Sequence, residues 1–134
     1  MTDFSLDDLD ANKACEVPYE LEYVTPNGSS IFMSILGSES NTVSLAVSKL
    51  TVERRKIQAN LEVKFKNDKE ALDLAVYEAN QLFSYRLIAC RLIGWKNISA
   101  EFNEVNALRL VKNNSDISTL IVSASNNIAN FMKI

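Results

Sequence analysis

From Tyr19 the chain alternates with a period of two: Tyr19, Leu21 and Tyr23 point one way and Glu20 and Glu22 the other, the pattern of a half-buried strand. Thr25-Pro26-Asn27-Gly28 supplies a turn, in which Pro26 fixes φ and Asn27 or Gly28 can take a left-handed conformation. Ser29 to Leu36 returns with Ile31, Met33 and Ile35 on one face and Phe32 and Leu36 on the other. A β-hairpin over 18–37 is the expectation, with its second strand covered on both sides.

After Gly37 the period lengthens. Between Asn41 and Lys66 apolar residues fall at Val43, Val47, Leu50, Ile57, Leu61 and Phe65, three, four or seven apart, with no Gly or Pro between them. The spacing predicts a helix over about 41–66. A second helix over about 69–93 has Asn67 or Asp68 as its cap and Ala71, Leu72, Ala75, Val76, Ala79, Leu82, Phe83, Ile88 and Cys90 as its apolar face. Gly94 is expected to end it as the left-handed residue past the helix. A third helix, about 103–112, starts at the N-cap Asn103, with Phe102 folding back on Ala107 or Leu108. Asn113-Asn114-Ser115 breaks it, and a last helix, about 116–131, carries Ile117, Leu120, Ile121, Ala124, Ile128 and Phe131 on one stripe. Residues 1–17 read as an acidic arm with one helical turn after Ser5, and 18–134 as a single α+β domain. A lone hairpin is barely stable in water, so it must pack on the helical body, whose two long helices lie antiparallel.

Composition narrows the chemistry. The 134 residues contain no histidine, which excludes a histidine general base, a Ser-His-Asp or Cys-His nucleophile and any His-ligated zinc. Cys15 and Cys90 form no CxxC, so two reduced thiols are expected rather than a metal site or a disulfide framework. Gly28, Gly37 and Gly94 lie too far apart to build a phosphate-cradling loop. The pairs Asp7 with Asp8 and Glu101 with Glu104 sit in loops or beside helix starts, where acids meet the helix dipole rather than converge in an apolar pocket. Cys90 has only Arg86 and Arg91 as close charges and reads as a small core residue. No enzymatic role, cofactor or metal is expected. The acidic start and the lack of a long apolar run point to a cytoplasmic protein with no membrane partner.

Charge is unevenly spread although the total is only −3. Residues 1–22 hold seven carboxylates against Lys13 alone, while 49–69 hold half of all the basic residues against Glu53, Glu62 and Asp68. One reading is a nucleic-acid-associated regulator using 49–69, but only Phe65 is there to stack on a base. Another is self-association, with Phe4, Leu6, Leu9, Asp7 and Asp8 of one copy meeting the basic helix of the next.

The order of segments resembles a known family. Gly94-Trp95, then FNEVNALRLVKNN, SDIST and NNIANFMKI is similar to the C-terminal half of the tail assembly chaperones of long-tailed bacteriophages and prophages. The acidic start, VPYELEYVTPNGSSIFMSILGSES and two long charged helices resemble that family's N-terminal half. The chain departs at Asn103-Glu104-Val105, where Ser or Thr followed by Pro or Glu is more usual, and at Met132 in place of Leu. The resemblance implies a non-enzymatic chaperone in the bacterial host cytoplasm, absent from the mature virion. It implies that this protein, together with a longer form made by a programmed frameshift, coats the helical tape measure protein, and that the longer form recruits tail tube subunits. The candidate partner-binding groove is the stripe Val43, Val47, Leu50, Ile57 and Leu61 with Arg54 and Arg55 beside it, the alternative being that this stripe is core. Nucleic acid is not an expected partner.

Overall fold

A computed structural model describes residues 3–133. The alternating segments form β1 (Tyr19–Val24) and β2 (Ser30–Ile35), antiparallel with Leu21 opposite Met33 and Tyr23 opposite Ile31. Gly28 turns the corner at φ +86°, a conformation that costs glycine nothing. A third strand, β3 (Leu92–Lys96), pairs with the other edge of β2, so β2 is central and carries the fully buried Met33 and Ile35.

That strand corrects the expected second helix. The helix stops at Ala89 with Cys90 as its cap, and Gly94 lies within β3 opposite Ser34. The left-handed residue is Asn97 instead, at φ 66°, whose Nδ2 donates to the Ser30 carbonyl at 3.1 Å. The free edge of β2 is what decides the matter. Leu36 N–H donates to the Arg91 carbonyl at 2.9 Å, and pairing with β2 satisfies backbone groups that would otherwise be orphaned.

The helices begin where side chains cap them. Ser40 Oγ accepts from Val43 N–H at 3.1 Å to start α2 (Asn41–Lys64), and Asp68 accepts from Ala71 N–H at 3.1 Å to start α3 (Lys69–Ala89). Asn103 accepts from Asn106 N–H at 2.8 Å to start α4 (Glu104–Asn113). Phe102 sets its ring edge-on to Trp95 at 5.0 Å. The last helix, α5 (Ser115–Asn126), is shorter than its stripe suggests. Asn127 caps a separate 3₁₀ turn, Ile128–Asn130, which swings Phe131 back to Tyr19 at 6.1 Å.

The core belongs to the sheet, α4 and α5: Met33, Ile35, Leu92, Val111, Ile117, Ile121 and Phe131 meet there. The long helices contribute little to it. Val43 is the one buried residue of α2, and α3 has none. At about 1.5 Å per residue they extend about 36 and 31 Å, and α2 packs on α3 while only α3 packs substantially on α4 and α5. The fold is therefore α+β, with a helical hairpin standing off a small sheet-and-helix body.

The arm joins that body before Pro18. A four-residue helix, α1 (Ala11–Ala14), delivers Cys15 into the core, and Glu16 accepts from the N–H and hydroxyl of Thr42 at 2.8 and 2.7 Å. Among the described residues no helix is long and apolar enough to cross a membrane.

Candidate interaction site

Two helices in contact have one shared seam, and polar groups locate it here. Arg54 of α2 donates through Nε and Nη2 to Asn80 Oδ1 of α3 at 2.9 and 2.6 Å, and Glu53 pairs with Arg86 at 2.9 Å. The face of α2 bearing Arg54 is also the face bearing Val43, Val47, Leu50, Ile57 and Leu61, by 3.6-residue geometry. The stripe expected to form a partner groove is thus turned toward α3, with Val43 buried and the others half-buried. Arg55 lies on another side of α2 and is exposed. A helix 24 residues long can carry two stripes, and this one is the seam.

The seam is only partly apolar. Arg54 Nη2 also donates to Gln58 Oε1 at 2.9 Å, whose Nε2 donates to Glu62 at 3.0 Å, while Arg54 Nη1 is buried without a partner. The Arg86 guanidinium holds the Glu53 carboxyl below the usual carboxylate range, and Glu53 in turn raises Arg86. Where the hairpin meets α4, a cleft of about 450 Å³ has Leu50, Cys90, Leu92, Phe102 and Leu108 on its walls, with Lys49, Glu53, Arg86 and Glu104 among the charged groups.

The outer face of α2 is the one sequence reasoning passed over. Leu45, Lys49, Val52, Lys56, Ala59 and Val63 follow one another at alternating steps of four and three, which sets them in a single row on a helix. All six are exposed, Val63 by 77%. The two acids of α2 do not interrupt the row, since Glu53 is held by Arg86 and Glu62 by Gln58. On α3 a corresponding row starts in the body with Ile88 and Tyr85, which pack on the core, and continues outward through Gln81 to Tyr77 and Leu74, each of these last two 60% exposed. The 3–4 spacing was the available signal for both rows; what the sequence lacked was the distance by which the helices overshoot the body.

The arm carries a further exposed apolar cluster. Ser5 Oγ accepts from Asp8 N–H at 3.1 Å and Asp8 Oδ2 accepts from Ser5 N–H at 3.0 Å, a reciprocal cap that folds residues 5–8 into a turn. Those bonds lower the Asp8 carboxyl. Phe4, Leu6 and Leu9 stand 62, 88 and 50% exposed around it, with Asp7 exposed between them.

Chemical groups are otherwise quiet. Burial raises the Cys15 and Cys90 thiols, which keeps them protonated and poorly nucleophilic. Among the described residues no three Cys, Asp or Glu side chains are grouped to hold a metal ion. Such a surface can recognise another polypeptide by apolar contact and charge. No family model, curated protein or solved structure matches this chain.

Proposed function

We propose that this chain is a non-enzymatic tail assembly chaperone of a long-tailed bacteriophage or prophage, acting in the host cytoplasm to coat the tape measure protein and help bring up tail tube subunits. The resemblance of its segment order motivates the reading. The observation that carries it is the overhanging helical hairpin, whose Leu74 and Tyr77 continue a core-facing row beyond the body and stand 60% exposed there. A tape measure is a long helical rod that aggregates when naked. A partner that presents helix surface, apolar in a row and charged at its flanks, can cover such a rod and still release it.

The test is co-production with the tape measure protein, which on this reading is a very long coiled-coil product encoded near this gene. The expected result is a soluble complex, with recovery falling sharply for Leu74→Lys/Tyr77→Lys at unchanged thermal stability. Recovery of the rod equally well without this chain would overturn the reading. So would a salt-sensitive gel shift on DNA, the mark of the nucleic-acid alternative. A slippery heptamer near the codons for Asn130 to Lys133, leading into an overlapping frame, is the expected genomic sign of the longer form.

A further inference from the structure

We infer that the acidic arm of one copy docks on the outer face of α2 of a second copy, joining chains head to tail. The inference rests on the chaperone reading for its biological use and on this chain's own surfaces for its geometry.

Chemical complementarity comes first. The arm presents Phe4, Leu6 and Leu9 with Asp3 and Asp7 alongside, all exposed. The α2 row presents Leu45, Val52 and Val63 with Lys49 and Lys56 between them, and a shallow depression runs along Lys49, Val52 and Lys56, with Glu53 at its side tied to Arg86. Each surface thus supplies apolar groups and the charge the other lacks. Surface ion pairs are individually weak, so they set register while the apolar side chains supply the affinity.

Why a second copy and not the same chain follows from where the arm is rooted. Glu16 is clamped to Thr42 at the first turn of α2, and the arm folds back on itself, with Leu9 N–H bonded to the Leu6 carbonyl and Asp10 N–H to that of Asp7, both at 3.2 Å. A turn brings its ends within about 7 Å of each other. Lys56 lies about 21 Å beyond Thr42 along the helix at about 1.5 Å per residue, and Phe4, Leu6 and Leu9 are exposed in the single chain together with the row from Leu45 to Val63, so the arm does not cover its own helix. The arm of another molecule is free to lie along the whole row. Because arm and face are different surfaces, each docked copy still offers one of each, and growth continues unless the rotation closes a ring.

Light scattering on the full chain alone tests this. The mass should rise with concentration at about 0.1 M salt and fall toward the monomer at about 1 M, where screening shortens to about 3 Å. Phe4→Ser/Leu6→Ser, which alters the arm, and Lys49→Glu/Lys56→Glu, which alters the face, should each weaken association at least about tenfold, given the apolar area or charge removed. Both sets of residues are exposed, so circular dichroism should show the fold unchanged. Mixing the two variants is decisive: each keeps the surface the other has lost, so they should pair one to one and grow no further. A wild-type monomer at all concentrations, as an arm closing on its own helix would give, overturns the inference. So does an arm variant that associates as wild type does, or a mixture that stays monomeric. The assay holds no other protein, so such a failure leaves the co-production test of the chaperone reading untouched, and the reverse also holds.

Discussion

Gly37→Ala tests how the arm is fastened to the body. Gly37 N–H donates to the Cys15 carbonyl at 3.0 Å, and a Cβ at Gly37 would lie 2.4 Å from Cys15 Sγ, 2.5 Å from Cys15 Cβ and 3.1 Å from Phe131 Cδ2. Carbon atoms pack at about 3.5 to 4.0 Å, so the two segments must part by about 1 Å. Rotation of the thiol cannot relieve this, because Cys15 Cβ is fixed to the end of α1, whose Cys15 N–H bonds to the Ala11 carbonyl at 2.9 Å. Overpacking costs about 1 to 3 kcal/mol and contacts this short to a fixed Cβ fall in the upper half, about 2 to 3 kcal/mol, while the reduced freedom of the unfolded chain returns about 0.4 to 1 kcal/mol, leaving a loss of about 1 to 2.6 kcal/mol. For a chain of this length that lowers Tm by about 4 to 8 °C. Urea unfolding followed by circular dichroism gives the number, and repeating it in two backgrounds gives the cause. In Cys15→Ala the Cβ contact remains and Gly37→Ala should cost nearly as much; in Cys15→Gly both Cys15 contacts vanish, only the 3.1 Å approach to Phe131 is left, and it should cost far less. A loss below about 0.5 kcal/mol, the scale of a surface change, or the same loss in all three backgrounds, would refute the steric reasoning.

Trp95→Ala should cost about 2 to 3 kcal/mol, since the half-buried ring packs on Phe102 and its N–H donates to the Ala100 carbonyl at 2.9 Å; a loss under about 0.5 kcal/mol in denaturant titration would place the ring outside the packed body. Arg54→Met should change stability by no more than about 1 kcal/mol in either direction, because it removes the unpartnered Nη1 from the seam along with the bonds to Asn80, and a loss above about 2 kcal/mol would show that the network holds the hairpin together. On acidification, Glu16 and Glu53 should both lower stability: hydrogen bonds from Thr42 and the Arg86 pair depress their folded pKa values below the ordinary 4.5. That stabilisation is complete above the unfolded value and is lost as pH falls through the folded one. Glu16→Gln and Glu53→Gln should flatten the acid limb of a urea-midpoint profile, and an unchanged limb in both would be the contrary result.

The hairpin, the caps at Asp68 and Asn103 and the antiparallel long helices were legible because each depends on residues close in sequence. β3 was not. Leu92-Ile93-Gly94-Trp95-Lys96 has a glycine at its centre and no clean alternation, and it is a strand because β2, far away in sequence, has a free edge beside it. The end of α5 was missed for a related reason: the apolar stripe continues through Ile128 and Phe131, but Phe131 reaches the core from a 3₁₀ turn rather than a continuous helix. The interaction surface was half legible. Periodicity found a stripe on α2, and the structure assigns that stripe to α3 through Arg54 and Asn80. The exposed row beginning at Leu45 has the same period, and nothing local separates the stripe that a chain uses internally from the one it leaves open.

The sheet order β1-β2-β3 makes the whole α2–α3 hairpin an insertion between two neighbouring strands. The chain leaves β2 at Ile35 and returns at Leu92, directly opposite. Entry and exit are therefore fixed by strand pairing, while the far end closes through its own backbone, Asp68 N–H donating to the Phe65 carbonyl at 3.1 Å. Length is consequently a free variable in this architecture. Removing or adding matched turns from both helices alters how far the rod extends without asking anything new of the body that carries it. Such a scaffold can be refitted to a partner of different dimensions by changes in one uninterrupted stretch of the gene, with its anchorage left as it was.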